Sequence, residues 1–217
     1  KGASNYFNTD GLPFGKTPYP VALIRNNEEL HPKADSYYFT DEIGNNAVQF
    51  LDEQNKENKP FFLYLAFTAP HWPLQAKPVD IAKYRGKFDE GWDVYREKVL
   101  ANQKKLGIFP QNAGLPDRNA LITEWKKLTP DQKKVYARFM EVYAGFLTYT
   151  DYEIGRVVDY LKQSGQLDNT LIFVAIGDNG ASKEGTLQGT ISQSLFSSAE
   201  KMWRRPIRRV KLRAMAV

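Results

Sequence analysis

Asp178 and Asn179 stand side by side between Gly177 and Gly180. One offers a charged carboxylate and the other a neutral carbonyl, and the flanking glycines let the backbone turn sharply and admit a ligand close to the chain. Hard cations suit such a pair. Asn-Gly is also a common turn signal, so a turn that holds nothing is the plain alternative. His71 is one of two histidines and lies in Thr68-Ala69-Pro70-His71-Trp72-Pro73. The two prolines remove two backbone donors and fix φ at two points, which makes the turn stiff. An imidazole held there could donate to an anionic oxygen or protonate a leaving group. A satisfied turn residue is the competing reading for His71, and it applies more firmly to His31 beside Pro32.

Each candidate turn follows an apolar run. Phe61 to Phe67 is a continuous run of seven residues, and Thr170 to Ile176 is a second. Both read as strands covered on both faces in a mostly parallel sheet. Ligands of open α/β sheets bind beyond the carboxyl ends of the strands, so His71 and Asp178-Asn179 are expected to face one shared cavity. Helices precede both runs. Thr40 reads as an N-cap, with Asp41 and Glu42 in the first turn and Ile43, Ala47, Phe50 and Leu51 on one face. Thr129-Pro130-Asp131-Gln132 is a stronger start: Thr as N-cap, Pro at the first helical position, and Gln three residues after the cap to close a capping box. Val135, Phe139, Val142, Tyr143, Phe146, Thr150, Ile154, Val157, Val158 and Leu161 then recur at three- and four-residue steps. They predict an amphipathic helix of about 50 Å, closed by Gly165. Helix followed by strand, repeated, argues for α/β layering.

The remaining stretches position less. Lys1 to Tyr38 is dense in Gly, Pro and Asn and reads as loops with one short strand at Val21 to Arg25. From Leu74 to Leu128 the signals weaken into scattered aromatics and lysines, as in an insertion over a sheet edge. The formal charge of +5 is carried by the end of the chain, where seven of the 30 basic residues fall after Glu200 and no acid does. That leaves 23 basic against 25 acidic residues in the first 200. A like-charge block of this kind can contact nucleic acid or an anionic membrane, but neither partner is expected here. There is no Cys, hence no disulfide, thiolate ligand or Cys nucleophile, which fits a periplasmic or a cytoplasmic location. No apolar run nears the roughly 20 residues of a membrane span, and no secretion signal is visible.

Taken in order, four elements resemble the middle of bacterial arylsulfatases, type I sulfatases of the alkaline phosphatase superfamily. They are Phe61 to Phe67 with Ala69-Pro70-His71-Trp72-Pro73; Tyr143-Ala144-Gly145; Asp151 with Ile154-Gly155-Arg156-Val157; and Asn169 to Phe173 leading to Gly177-Asp178-Asn179-Gly180. The match covers roughly Thr40 to Gly185. The resemblance implies an α/β fold, mostly a parallel sheet flanked by helices. It also implies calcium-dependent hydrolysis of sulfate esters by a formylglycine made from a Cys/Ser-x-Pro-x-Arg motif. By the same resemblance Asp178 and Asn179 correspond to metal ligands and His71 to a residue contacting the sulfate group. Asp151 is expected to be structural, capping or pairing inside the fold. Residues 1–186 then form a partial catalytic domain, and 187–217 a loop and basic tail.

The sequence departs from the family where the nucleophile should be. Its two Pro-x-Arg stretches, Gly114 to Arg118 and Arg204 to Arg208, begin with Gly and Arg, which cannot become formylglycine. Paired N-terminal acids, a Lys-x-His segment and a later Lys of the family have no recognisable counterpart. Two oxygen ligands are few for Ca²⁺, which takes six to eight, so a weak half site is expected. The leading reading is a sulfuric ester hydrolase missing its nucleophile, with a small-molecule sulfate ester as its substrate. A catalytically inactive truncated product, frame-shifted near Ala199, is one alternative. A phosphodiester or phosphonate hydrolase of the same superfamily is another, although such relatives tend toward Asp-His-Gly where this chain has Asp-Asn-Gly.

Overall fold

A computed structural model describes residues 5–7, 12–14, 17–19, 23–32, 37–71 and 73–177. The chain divides into two compact units, Lys1–Gln75 with Phe146–Val217, and Ala76–Gly145.

Two small antiparallel hairpins belong to the first unit. Strand β1 (Leu12–Phe14) pairs with β2 (Thr17–Tyr19), and β3 (Leu23–Arg25) pairs with β4 (Glu28–Leu30). The second hairpin turns through Asn26 and Asn27 at φ of 50° and 71°. Positive φ at both central residues is what a two-residue hairpin turn of the favoured twist requires, and Asn tolerates it better than most side chains. Arg25 lies over the ring of Phe50, 5.4 Å from its centroid, and so ties this hairpin to helix α1.

Helix α1 spans Phe39–Glu57. Thr40, expected as its N-cap, is instead inside the helix and fully buried, and Tyr38 takes the cap position without a side-chain cap bond. The tyrosine ring has better use for that boundary: it is buried and its hydroxyl donates to the Gln75 carbonyl at 2.9 Å. Gly44, Ala47 and Leu51 continue the buried stripe, and Asn58 ends the helix in the left-handed region at φ 49°.

The long helix forms as expected. It is numbered α4 and spans Pro130–Gln163, about 50 Å at 1.5 Å per residue. The Thr129 backbone N–H donates to Gln132 Oε1 at 2.9 Å, and the Gln132 N–H donates to Thr129 Oγ1 at 3.2 Å, a reciprocal capping box. At the other end Gly165, at φ 72°, donates to the Lys162 carbonyl while Gln166 donates to that of Leu161, which is a Schellman close. In the first unit Ala47 and Leu51 pack against Val157 and Leu161 to make a buried cluster.

The run Phe61 to Phe67 lies on that cluster through Phe61, Leu63 and Leu65. Its other face is open, with Phe62 92% and Tyr64 82% exposed. The expectation of a strand covered on both faces therefore fails here. A strand needs a neighbour to take its backbone hydrogen bonds, and among the described residues neither this run nor Thr170 to Ile176 has one. Residues 171–177 are exposed throughout.

The second unit is helical. It holds α2 (Pro78–Ala82), α3 (Gly91–Lys105), a 3₁₀ turn at Trp125–Lys127 and the first half of α4. Phe88, Trp125 and Ala137 form its buried cluster, with Tyr84, Trp92 and Tyr136 packed around. Gly145 of α4 touches the α2 backbone, since a Cβ there would lie 2.8 Å from the Ile81 nitrogen.

Candidate functional site

His71 closes a tight turn in which its N–H donates to the Thr68 carbonyl at 2.8 Å, and the Ala69–Pro70 bond within it is cis. A turn falls where the two prolines predict one. What holds the turn in the fold comes from far away in the chain. Tyr6 is 1% exposed, and its ring meets Phe146 of α4 edge-on at 4.7 Å between centroids. Its hydroxyl donates to the His71 carbonyl at 3.3 Å, and its backbone N–H donates to Gln75 Oε1 at 2.7 Å. Its own carbonyl accepts from Phe39 at 2.8 Å, at the start of α1. Burial pushes the Tyr6 phenol up to about 12, so the hydroxyl remains a donor across ordinary pH. His71 itself is half-buried. His31, read as a bland loop residue, is exposed after β4.

Asp178 and Asn179 lie outside the described residues, and so does the cavity expected between them and His71. The basic tail lies outside them too. Among the described residues no group of three or more His, Cys, Asp and Glu could hold a metal ion. The donor types of the Asp178-Asn179 pair suit a hard cation. No helix among the described residues is long and apolar enough to cross a membrane.

The acid that pairs inside α4 is not the expected one. Asp151 is exposed, and Glu153 is the buried carboxylate of that turn at 1% exposure. Arg156 donates to Glu153 Oε2 at 2.6 Å through Nη1 and to Asn45 Oδ1 of α1 at 2.9 Å through Nη2. Burial, together with hydrogen bonds to Asp41 and Glu153, raises the Tyr149 phenol well above the usual range. A period-based reading could not find Glu153, because it assigns the inward stripe to apolar side chains. The Arg156 three residues on was the available signal, since a buried carboxylate needs a partner. In the second unit Asp93 plays a comparable part. It accepts the Trp125 N–H at 2.9 Å and Arg118 at 3.1 Å, and these bonds, the Trp125 one first, hold its carboxyl below the ordinary range.

The sequence model of the sulfatase family matches residues 4–207. An uncharacterized sulfatase of Schizosaccharomyces pombe is 42% identical over 164 residues, which is 75% of this chain and 29% of that protein. An arylsulfatase of Klebsiella aerogenes is 36% identical over 181 residues, 83% of this chain and 38% of that one. The crystal structure of Ps i-CgsB is 29% identical with a TM-score of 0.40, over 70% of this chain and 22% of that one. The chain thus spans about a third of the length of the two curated relatives. By this kinship the chain carries part of the sulfatase-family fold. Matched along nearly its whole length, the chain belongs to the sulfatase family.

Proposed function

We propose that the chain supplies part of a sulfate-ester-hydrolysing centre of arylsulfatase type, with His71 contacting the sulfate group and Asp178 and Asn179 holding Ca²⁺. The observation that carries this reading is the braced His71 turn in a chain matched to the sulfatase family over residues 4–207. Sulfuryl transfer places negative charge on the non-bridging oxygens and on the leaving oxygen. An imidazole fixed by its backbone can donate to one of them without first being reoriented, which is where preorganised donors gain their effect. Bound Ca²⁺ would supply charge neutralisation at those oxygens. The substrate class is a small-molecule sulfate ester.

These 217 residues contain no Cys/Ser-x-Pro-x-Arg motif, so the reading includes catalytic incompleteness of this chain by itself. Calorimetric titration of the purified chain with Ca²⁺ should show weak binding that disappears in Asp178→Ala. Single-turnover assay with an aryl sulfate should show no cleavage. Tight calcium binding that survives Asp178→Ala would overturn the metal assignment. Enzyme-like turnover would overturn the incompleteness and point to another nucleophile, such as metal-bound water.

A further inference from the structure

We infer that Tyr6 is a positioning residue for His71, acting as a clamp that grips the chain at His71 and again at Gln75. This rests on the reading of His71 given above. Three contacts made by one buried residue support it. The Tyr6 hydroxyl donates to the carbonyl of His71 itself, 65 positions along the chain. The Tyr6 N–H donates to Oε1 of Gln75, four residues beyond His71. The Tyr6 carbonyl accepts from Phe39, which anchors the clamp to the first turn of α1. Tyr38 adds a fourth point by donating to the Gln75 carbonyl at 2.9 Å. His71 and Gln75 are therefore both tied to Tyr6, one through its hydroxyl and one through its backbone, and the Tyr6 ring is wedged among Tyr38, Phe39 and Phe146.

Packing alone does not explain the arrangement. A Phe would fill the same space against Phe146, yet burying a phenolic hydroxyl costs free energy unless the group is partnered. The hydroxyl is turned to the backbone oxygen of the residue read as the sulfate contact. A hydrogen bond to that carbonyl fixes the peptide plane following His71 and hence the direction in which the side chain leaves the turn. Tyr6 touches no reacting atom in this role and acts through His71.

With two histidines in the chain, the imidazole signals of His71 and His31 can be followed separately by NMR, and His31 serves as an internal control. The probe is inorganic sulfate titrated into the intact chain, its Tyr6→Phe variant and its Gln75→Met variant. Tyr6→Phe keeps the ring; Gln75→Met keeps the volume and removes the other grip, and near-ultraviolet circular dichroism checks that both are folded. In the unaltered chain, sulfate should move the His71 signals and leave those of His31 in place. Both variants should shift the His71 signals before any sulfate is added, and weaken its sulfate affinity about three- to tenfold, as loss of one orienting hydrogen bond would. Folded variants with unchanged His71 signals and unchanged sulfate affinity overturn the clamp. If His71 ignores sulfate in the unaltered chain, the sulfate-contact reading fails instead. The clamp is then decided by the sulfate-free spectra alone, where shifted His71 signals sustain it and unshifted ones reject it.

Discussion

Gly44 of α1 faces Glu153 of α4 so closely that a Cβ added to the glycine would lie 2.0 Å from Glu153 Oε2. The buried carboxylate occupies the space that any other side chain at position 44 would need. Gly44→Ala sets two effects against each other. Alanine gains up to about 1 kcal/mol in helix propensity. Displacing the carboxylate from Arg156 puts at risk about 3–5 kcal/mol, the cost of breaking a buried pair. The pair should win, and thermal unfolding should show Gly44→Ala destabilised by about 2–4 kcal/mol. Equal or higher stability of the variant would mean that Glu153 swings aside freely.

Gly91 meets a similar limit in the second unit, where its φ is 84° and a Cβ would lie 2.1 Å from the Trp125 ring. The left-handed backbone alone costs an alanine about 1–2 kcal/mol, and the ring has to move as well. Gly91→Ala should lower stability by at least about 2 kcal/mol and change tryptophan fluorescence, because Trp92 and Trp125 sit 4.8 Å apart edge-to-face. An unchanged emission spectrum would show that the ring is not displaced.

Removing the cap of α4 is a gentler test. Thr129→Ala deletes the acceptor for the Gln132 N–H and should cost about 1 kcal/mol, read from the midpoint of urea unfolding with an unchanged slope. Thr129→Ser should restore most of the loss, since it returns the hydroxyl.

Alkaline pH tests the burial of Tyr6. Its phenol is raised from 10.0 to about 12, so the folded state holds the proton more tightly than the unfolded one. The contribution is complete below pH 10, and it is lost as pH rises through about 12. Melting temperature should fall over that interval, and the fall should be shallower in Tyr6→Phe. Equal slopes would assign the alkaline loss to other tyrosines whose phenols are raised, among them Tyr37 and Tyr149.

What the sequence revealed divides by distance along the chain. The start and close of α4 could be read because capping boxes and glycine caps are made within five residues of one another. The turn at His71 could be read from its prolines. The Tyr6 clamp could not, because its partners lie 65 and 69 positions away and neither a tyrosine nor a glutamine announces such a pairing. Glu153 escaped because periodicity treats an acid as outward-facing unless a partner is seen. The two apolar runs read as fully covered strands, yet their composition specifies only that they want neighbours. Which residues serve as neighbours is a tertiary question.

Leu171-Ile172-Phe173-Val174-Ala175-Ile176 is six apolar residues without a charge, a proline or a glycine, and Phe173 is 86% exposed. Segments of this kind template cross-β stacking between molecules when they are left uncovered. The nearest charges along the chain are Asp168 and Asp178, too far out to act as gatekeepers within the run. Solubility of the isolated chain is thus governed by concentration as well as by folding stability. A preparation that is well folded at micromolar levels should still precipitate on concentration, with kinetics steeper than first order, and a single Lys in place of Phe173 should raise that ceiling without altering the helical core.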